Sequence, residues 1–173
     1  MKASLETVTE FEITYRGTVY PWHCDHMGHM NVMWYSGKFD EASWQFLSKL
    51  GLSRAHFREY GAGMAAVEQN IKYQCELHAG DIVSIRSKVM EINEKSIRIL
   101  HEMTNDESGI VAAVSEIVGV YLDTKIRKAR ALPHSVRERA LAFMAEGPVG
   151  ARQSRSHQFT TPAIFGITAR RHE

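Results

Sequence analysis

Residues 31–51, Asn-Val-Met-Trp-Tyr-Ser-Gly-Lys-Phe-Asp-Glu-Ala-Ser-Trp-Gln-Phe-Leu-Ser-Lys-Leu-Gly, decide the fold. Tyr35, Phe39, Ala42, Phe46 and Leu50 recur at helical spacing, with Lys38, Asp40, Glu41 and Gln45 off that line. Asn31 is placed to cap the helix, because its side chain can accept from the orphan amides of the first turn. Gly51 stands where a left-handed residue ends a helix. Trp44 and Leu47 widen the apolar face, which predicts a helix buried on several sides.

Working outward, residues 11–20 are rich in β-branched and aromatic side chains and read as a strand. Pro21 ends its pairing, since proline has no ladder donor. Downstream, a short helix is predicted from Ser53 to Tyr60, closing at Gly61 and Gly63. Segments 64–77, 81–92, 96–104 and 110–122 read as strands, separated by turn signals at 79–81, 93–95 and 105–109. Val83, Ile85 and Val89 alternate with Ser84, Arg86 and Lys88, so that strand has one wet face. The short connections predict an antiparallel meander, with the last strand central because it is apolar on both faces. A helix follows Pro133 and runs to about Ala145. The fold class is therefore α+β, one antiparallel sheet of about five strands wrapped around one long central helix. Residues 1–146 form a single domain. Residues 147–173 form a polar, basic tail carrying Arg152, Arg155, Arg170 and Arg171, either loose or docked on a partner subunit. A curled sheet leaves an edge open, so pairing with a second copy is expected.

The 173 residues suit one domain, and the hydrophobic and charged fractions of 44% and 24% are those of an ordinary globular protein. A formal net charge of +1 supplies no global field for nucleic acid or an anionic membrane. No stretch approaches the ~20 apolar residues of a membrane span, and Met1 to Glu12 carries acidic residues without an apolar run. Cys24 and Cys75 have no spacing that implies a disulfide framework. These features predict a cytoplasmic protein.

The chemistry lies in His23-Cys-Asp-His-Met-Gly-His-Met-Asn31, between the first strand and the long helix. It joins a carboxylate to a helix N-terminus, whose free amides suit a developing oxyanion. Such a carboxylate can attack an acyl carbon or deprotonate water. Turn and capping roles explain Asp25 and Asn31 equally well at this level. His23, Cys24, Asp25, His26 and His29 are also possible zinc ligands, but their spacing fits no standard zinc pattern, and no metal is predicted. A carboxylate beside Cys24 argues against a thiolate nucleophile.

Asp25-x-x-Gly28-His29-x-Asn31-x-x-x-Tyr35 resembles the signature of the 4-hydroxybenzoyl-CoA-thioesterase-like hotdog family, at the same strand-to-helix junction. The similarity in element order extends over about residues 10–145. The resemblance implies a hotdog-fold acyl-CoA thioesterase with Asp25 as nucleophile or general base and the Val32 backbone N–H polarising the thioester carbonyl. Gly28 would let the loop approach the thioester. His29 and Asn31 would order the loop or touch substrate, and Tyr35 would wall the acyl pocket or fill the core. It further implies an acyl-CoA partner, no cofactor beyond CoA as part of the substrate, and interfacial active sites in a homodimer or a tetramer of such dimers. His26 departs from the small residue or proline common in relatives, and bears on the Asp25 pKa in either direction.

Other residues are secondary. Glu68, Asn70 and Tyr73 are candidates to face the pocket from a strand. Arg86, Lys88, Lys95 and Arg98, or the tail arginines, are candidates for the CoA phosphates. Trp22, Trp34 and Trp44 suit an aromatic pocket or the core, and Met27, Met30 and Met33 an adaptable apolar wall. Two other functions stay open. One is an enoyl or hydroxyacyl thioester hydratase or dehydratase using an Asp–His pair; the other is a non-catalytic acyl-CoA-binding subunit.

Overall fold

A computed structural model describes residues 11–145. Strand β1 (Glu12–Thr18) leads through a 3-10 turn (Pro21–His23) to α1 (Val32–Lys49) and α2 (Arg54–Tyr60). Strands β2 (Ala62–Tyr73), β3 (Ile82–Ile92), β4 (Ser96–Asn105), β5 (Val111–Asp123) and β6 (Lys128–Ala129) follow, then α3 (His134–Ala145). The basic tail lies outside the described residues.

The predicted punctuation of α1 is met. The Asn31 side chain accepts from the Met33 N–H at 3.0 Å, and Gly51 takes φ +96° just beyond the helix. Ser53 and a left-handed Gly61 bound α2 in the same way. The buried side of α1 is Tyr35, Lys38, Phe39, Ala42, Ser43, Phe46 and Leu47. Two expectations fail here. Lys38 belongs to the buried side, three residues on from Tyr35, and its amine donates to Tyr15 Oη at 2.9 Å. Trp44 is 47% exposed, so α1 is covered on one side only.

The sheet order is β1-β3-β4-β5-β2, with every pairing antiparallel and the short β6 beside β5. Strands β3, β4 and β5 form the expected meander, and β5 is internal. Strand β2 does not join its sequence neighbour; it pairs with β5 at the far edge. Residues 74–81 make this possible, because that connection is far longer than a tight hairpin turn. The turn signal at 79–81 marked only its end.

The curl of the sheet holds α1 on its inner side. Its N-terminal half packs with Val19, Met30, Leu77, Ile85 and Met103, and its C-terminal half with Val89, Ile97, Tyr121 and Val136. Between the two clusters His101 is fully buried. Its Nε2 lies 3.0 Å from Ser43 Oγ on α1, and its Nδ1 2.6 Å from Ser87 Oγ on β3. Ser87 in turn meets Thr14 Oγ1 at 2.6 Å. Three strands and the helix are thus joined through one imidazole.

Candidate active site

The loop before α1 is a small closed unit. Cys24 and Met30 form an antiparallel bridge, the Asp25 N–H donates to the His29 carbonyl, and the Gly28 N–H to the Asp25 carbonyl. Gly28 has φ +86°, a conformation that disfavours any side chain, while the space around it is open. The loop is anchored at its end: the Met30 N–H donates to Leu77 O at 2.7 Å and the Asn31 N–H to His23 O at 2.9 Å.

Both oxygens of Asp25 are engaged. Oδ1 accepts from the Met27 N–H at 2.9 Å and Oδ2 from Asn31 Nδ2 at 2.7 Å. The first contact is an Asx turn, so the turn role read from the sequence is real and leaves the carboxylate half-exposed. The Asn31 amide, then the Met27 amide, hold the Asp25 pKa below its ordinary value, and the positive contributions of His29 and His26 act in the same direction. Asn31 therefore links the carboxylate to the start of α1, since its other amide atom caps Met33. The neighbouring Val32 N–H has no protein acceptor among the described residues, and Val32 is exposed. It bears the partial positive charge of a helix N-terminus.

The remaining candidates separate. His29 turns away from Asp25: its Nε2 is 3.7 Å from Glu76 Oε1 and its Nδ1 3.5 Å from the Met30 carbonyl. Tyr35 is a core residue, 3% exposed, with its hydroxyl donating to Cys75 O and its pKa raised by burial. Met30 is buried while Met27 and Met33 are exposed, so the three methionines make no single wall. Trp22 stacks on Tyr20, Trp34 packs on the His23 ring, and Trp44 faces the open side of α1. Among the described residues, no three His, Cys, Asp or Glu side chains are grouped to hold a metal ion.

Along that open side runs a cleft of about 450 Å³, lined from α1 by Met33, Gly37 and Asp40 and from the sheet by Ala66, Gln69 and Ile117. Strand β2 supplies Gln69 there, not Glu68. A bulge between Ala66 and Glu68 shifts the register by one, which reverses the faces beyond it. Glu68, Asn70 and Lys72 consequently share the outer face with Leu100 and Glu116, while Tyr73 reaches the ring of Tyr35. Gln69, whose amide donates to Ser115 Oγ, is the cleft residue that alternation alone misses. Three of the candidates for the CoA phosphates have partners on or beside the sheet. Arg86 pairs with Glu102, Arg98 with Glu91 and Glu116, and Lys88 lies over the Phe11 ring.

No helix among the described residues is long and apolar enough to cross a membrane. The sequence profile of the thioesterase-like superfamily matches residues 19–140. The chain is 29% identical over 128 residues to the L-carnitine dehydrogenase/betainyl-CoA thioesterase of Agrobacterium fabrum, covering 72% of this chain and 26% of that one. It thus spans about a quarter of that relative's length. It is also 29% identical over 118 residues to the long-chain acyl-CoA thioesterase FadM of Escherichia coli, covering 68% of this chain and 89% of that one. The crystal structure of YbaW, a probable thioesterase from Escherichia coli, superposes with a TM-score of 0.65 at 27% identity, over 77% of this chain and 98% of that one. With its curled antiparallel sheet around α1, the hotdog fold, and a matching profile over most of its length, the chain belongs to the thioesterase-like superfamily.

Proposed function

We propose that the protein hydrolyses an acyl-CoA to a free acid and CoA, with Asp25 as the reacting carboxylate and the Val32 N–H as the carbonyl's hydrogen-bond donor. One observation carries this reading. Asn31 ties an accessible carboxylate to the start of a helix whose first amide has no protein acceptor among the described residues. Attack on a thioester drives electrons onto the carbonyl oxygen, and a helix N-terminus stabilises charge at that point.

Two courses use the same geometry. In one, Asp25 attacks the carbonyl carbon, CoA leaves as a thiolate that takes a proton from water, and a second water opens the mixed anhydride. In the other, Asp25 accepts a proton from the water that attacks. The Asn31 and Met27 amides hold the Asp25 pKa below its ordinary value, so the carboxylate is ionised at neutral pH, as both courses require. A hydratase would need an Asp–His acid–base pair, whereas His29 lies beside Glu76. Gly28 and Asn31 shape the loop, and His29 anchors its far side.

The open edge of β2, with Val67 and Tyr73 exposed, supports a homodimer that completes the site. Both cysteines are free thiols, which fits a reducing cytoplasm. The relatives are named for betainyl and long-chain acyl groups, chemically unlike one another, so the family alone leaves the acyl group open. Thiol release from a panel of acyl-CoAs, wild type against Asp25→Asn, tests the reading. Turnover by the wild type and its collapse in the variant are expected. Equal rates would make Asp25 a turn residue only, and no release from any substrate would leave a binding subunit.

A further inference from the structure

Asp40 stands apart from every other aspartate in the described chain. Asp25 accepts from Met27 and Asn31, Asp81 from the His78 N–H, Asp106 from Ser84, and Asp123 from Lys125 and Ile126. Asp40 has no hydrogen-bond or ion-pair partner among the described residues, although it sits mid-helix, where aspartate is a poor helix former. It lines two adjoining cavities at once. The first is the cleft with Met33, Gly37 and Gln69; the second continues past it to Trp44, Met64 and Ile99, and Ala66 and Ile117 border both. In neither lining is there another ionisable side chain. Trp44 is one helical turn from Asp40 on the same face, its ring held edge-on to Phe57 at 6.1 Å.

A lone carboxylate between apolar walls and an indole is complementary to a cation. The exposed carboxylate attracts it through solvent-screened charge, and the indole face adds a cation–π contact. Asp40 lies eight positions beyond Val32, so their backbones are about 12 Å apart along the axis. Because side chains lean toward the helix N-terminus, the carboxylate falls nearer, on the order of 10 Å from the Val32 N–H. A linear acyl group of roughly six carbons bridges that interval.

We infer that the cleft accepts an acyl chain ending in a cationic group, of which a quaternary ammonium is the simplest, held by Asp40 and Trp44. The inference rests on the proposed thioesterase reading and adds the substrate class. The test compares kcat/KM for three CoA thioesters: hexanoyl bearing a terminal trimethylammonium, its isostere ending in a tert-butyl group, and adipoyl. The wild type is expected to prefer the cationic chain over its isostere by about tenfold or more. Asp40→Asn brings the two within about twofold, Trp44→Leu narrows the gap by about threefold, and Asp40→Lys turns the preference toward adipoyl. No preference in the wild type, or one that survives Asp40→Asn, overturns the inference while leaving the thioesterase reading intact. Calorimetric titration with the corresponding non-hydrolysable thioethers covers the opposite failure. If no thioester is cleaved, tighter binding of the cationic thioether that Asp40→Asn abolishes still supports the site, and equal binding of all three refutes it.

Discussion

The two sides of α1 treat their polar groups in opposite ways. On the buried side each polar group that enters the core is matched. Lys38 reaches Tyr15, and Ser43 donates to the Phe39 carbonyl while meeting His101. On the open side and at the N-terminus, the Val32 N–H and the Asp40 carboxylate have no partner among the described residues, and Asp25 remains within reach of solvent. Matching a buried polar group secures stability; leaving an exposed one unmatched costs little and keeps it available to a ligand. Folding thus rests on one side of the helix and the proposed chemistry on the other, and substitutions on each side should separate the two.

The sharpest separation is at Asp25. Asparagine preserves the size of the side chain and an oxygen for the Met27 N–H, but it removes the charge that attack or proton transfer requires. Asp25→Asn is expected to lower kcat by about a thousandfold or more. The new NH2 group faces Asn31 Nδ2, so the hydrogen bond between these side chains is lost and stability, read from the denaturation midpoint, should fall by about 1 kcal/mol, far less than the loss of rate. A large loss of stability with modest loss of rate would reverse the assignment of the loop.

The buried side predicts the opposite pattern, read through pH. Ser43 gives its proton to Phe39 O, so its oxygen accepts from His101 Nε2–H, and His101 Nδ1 is left to accept from Ser87. Burial lowers the His101 pKa to about 4 from an ordinary 6.5, so the folded chain keeps this ring neutral. Between those values the unfolded chain binds the proton and the folded chain does not, so stability rises with pH across that window. The His101 contribution is complete above about pH 6.5 and is lost progressively as pH falls toward 4. The loss is on the order of 3 kcal/mol at the acid end. Urea unfolding from pH 7 to pH 4 should show that decline, and His101→Leu should flatten this part of it. The same decline in both proteins would mean that other groups set the acid sensitivity.

What the sequence discloses follows the same division between local and distant causes. The span of α1, its Asn31 cap and the Gly51 stop all depend on neighbours within a few residues, and all were legible. The Asp25–Asn31 motif was legible as spacing, and the proposed function uses the same hydrogen-bonded geometry as the turn. Distant causes were not legible. Nothing near Tyr73 says that β2 pairs with β5, and nothing near Val67 announces the bulge that brings Gln69 into the cleft in place of Glu68. The exposure of Trp44 and the isolation of Asp40 depend on the sheet leaving that side of α1 uncovered. Ser43 carries a local cue to a distant contact: a hydroxyl beside Ala42 on an apolar helix face calls for a buried partner, and His101 is that partner.

Asn31 is where the two sides meet, and its loss should register modestly on both. Its oxygen caps Met33 and its amide nitrogen donates to Asp25. Asn31→Ala removes the cap, which costs about 1 kcal/mol of stability. It also removes the largest influence holding the Asp25 pKa down, so that pKa rises. Activity should then fall off at a higher pH on the acid limb of the kcat/KM profile, while the neutral-pH rate drops less than in Asp25→Asn. Asn31→Asp keeps the capping oxygen and replaces the donor with a second carboxylate, which raises the Asp25 pKa further by like-charge repulsion. Stability near the wild-type value together with an acid limb displaced beyond that of Asn31→Ala would show that Asn31 sets the charge of Asp25 separately from holding the helix. If both variants kept the wild-type acid limb, the carboxylate reporting on catalysis would lie elsewhere.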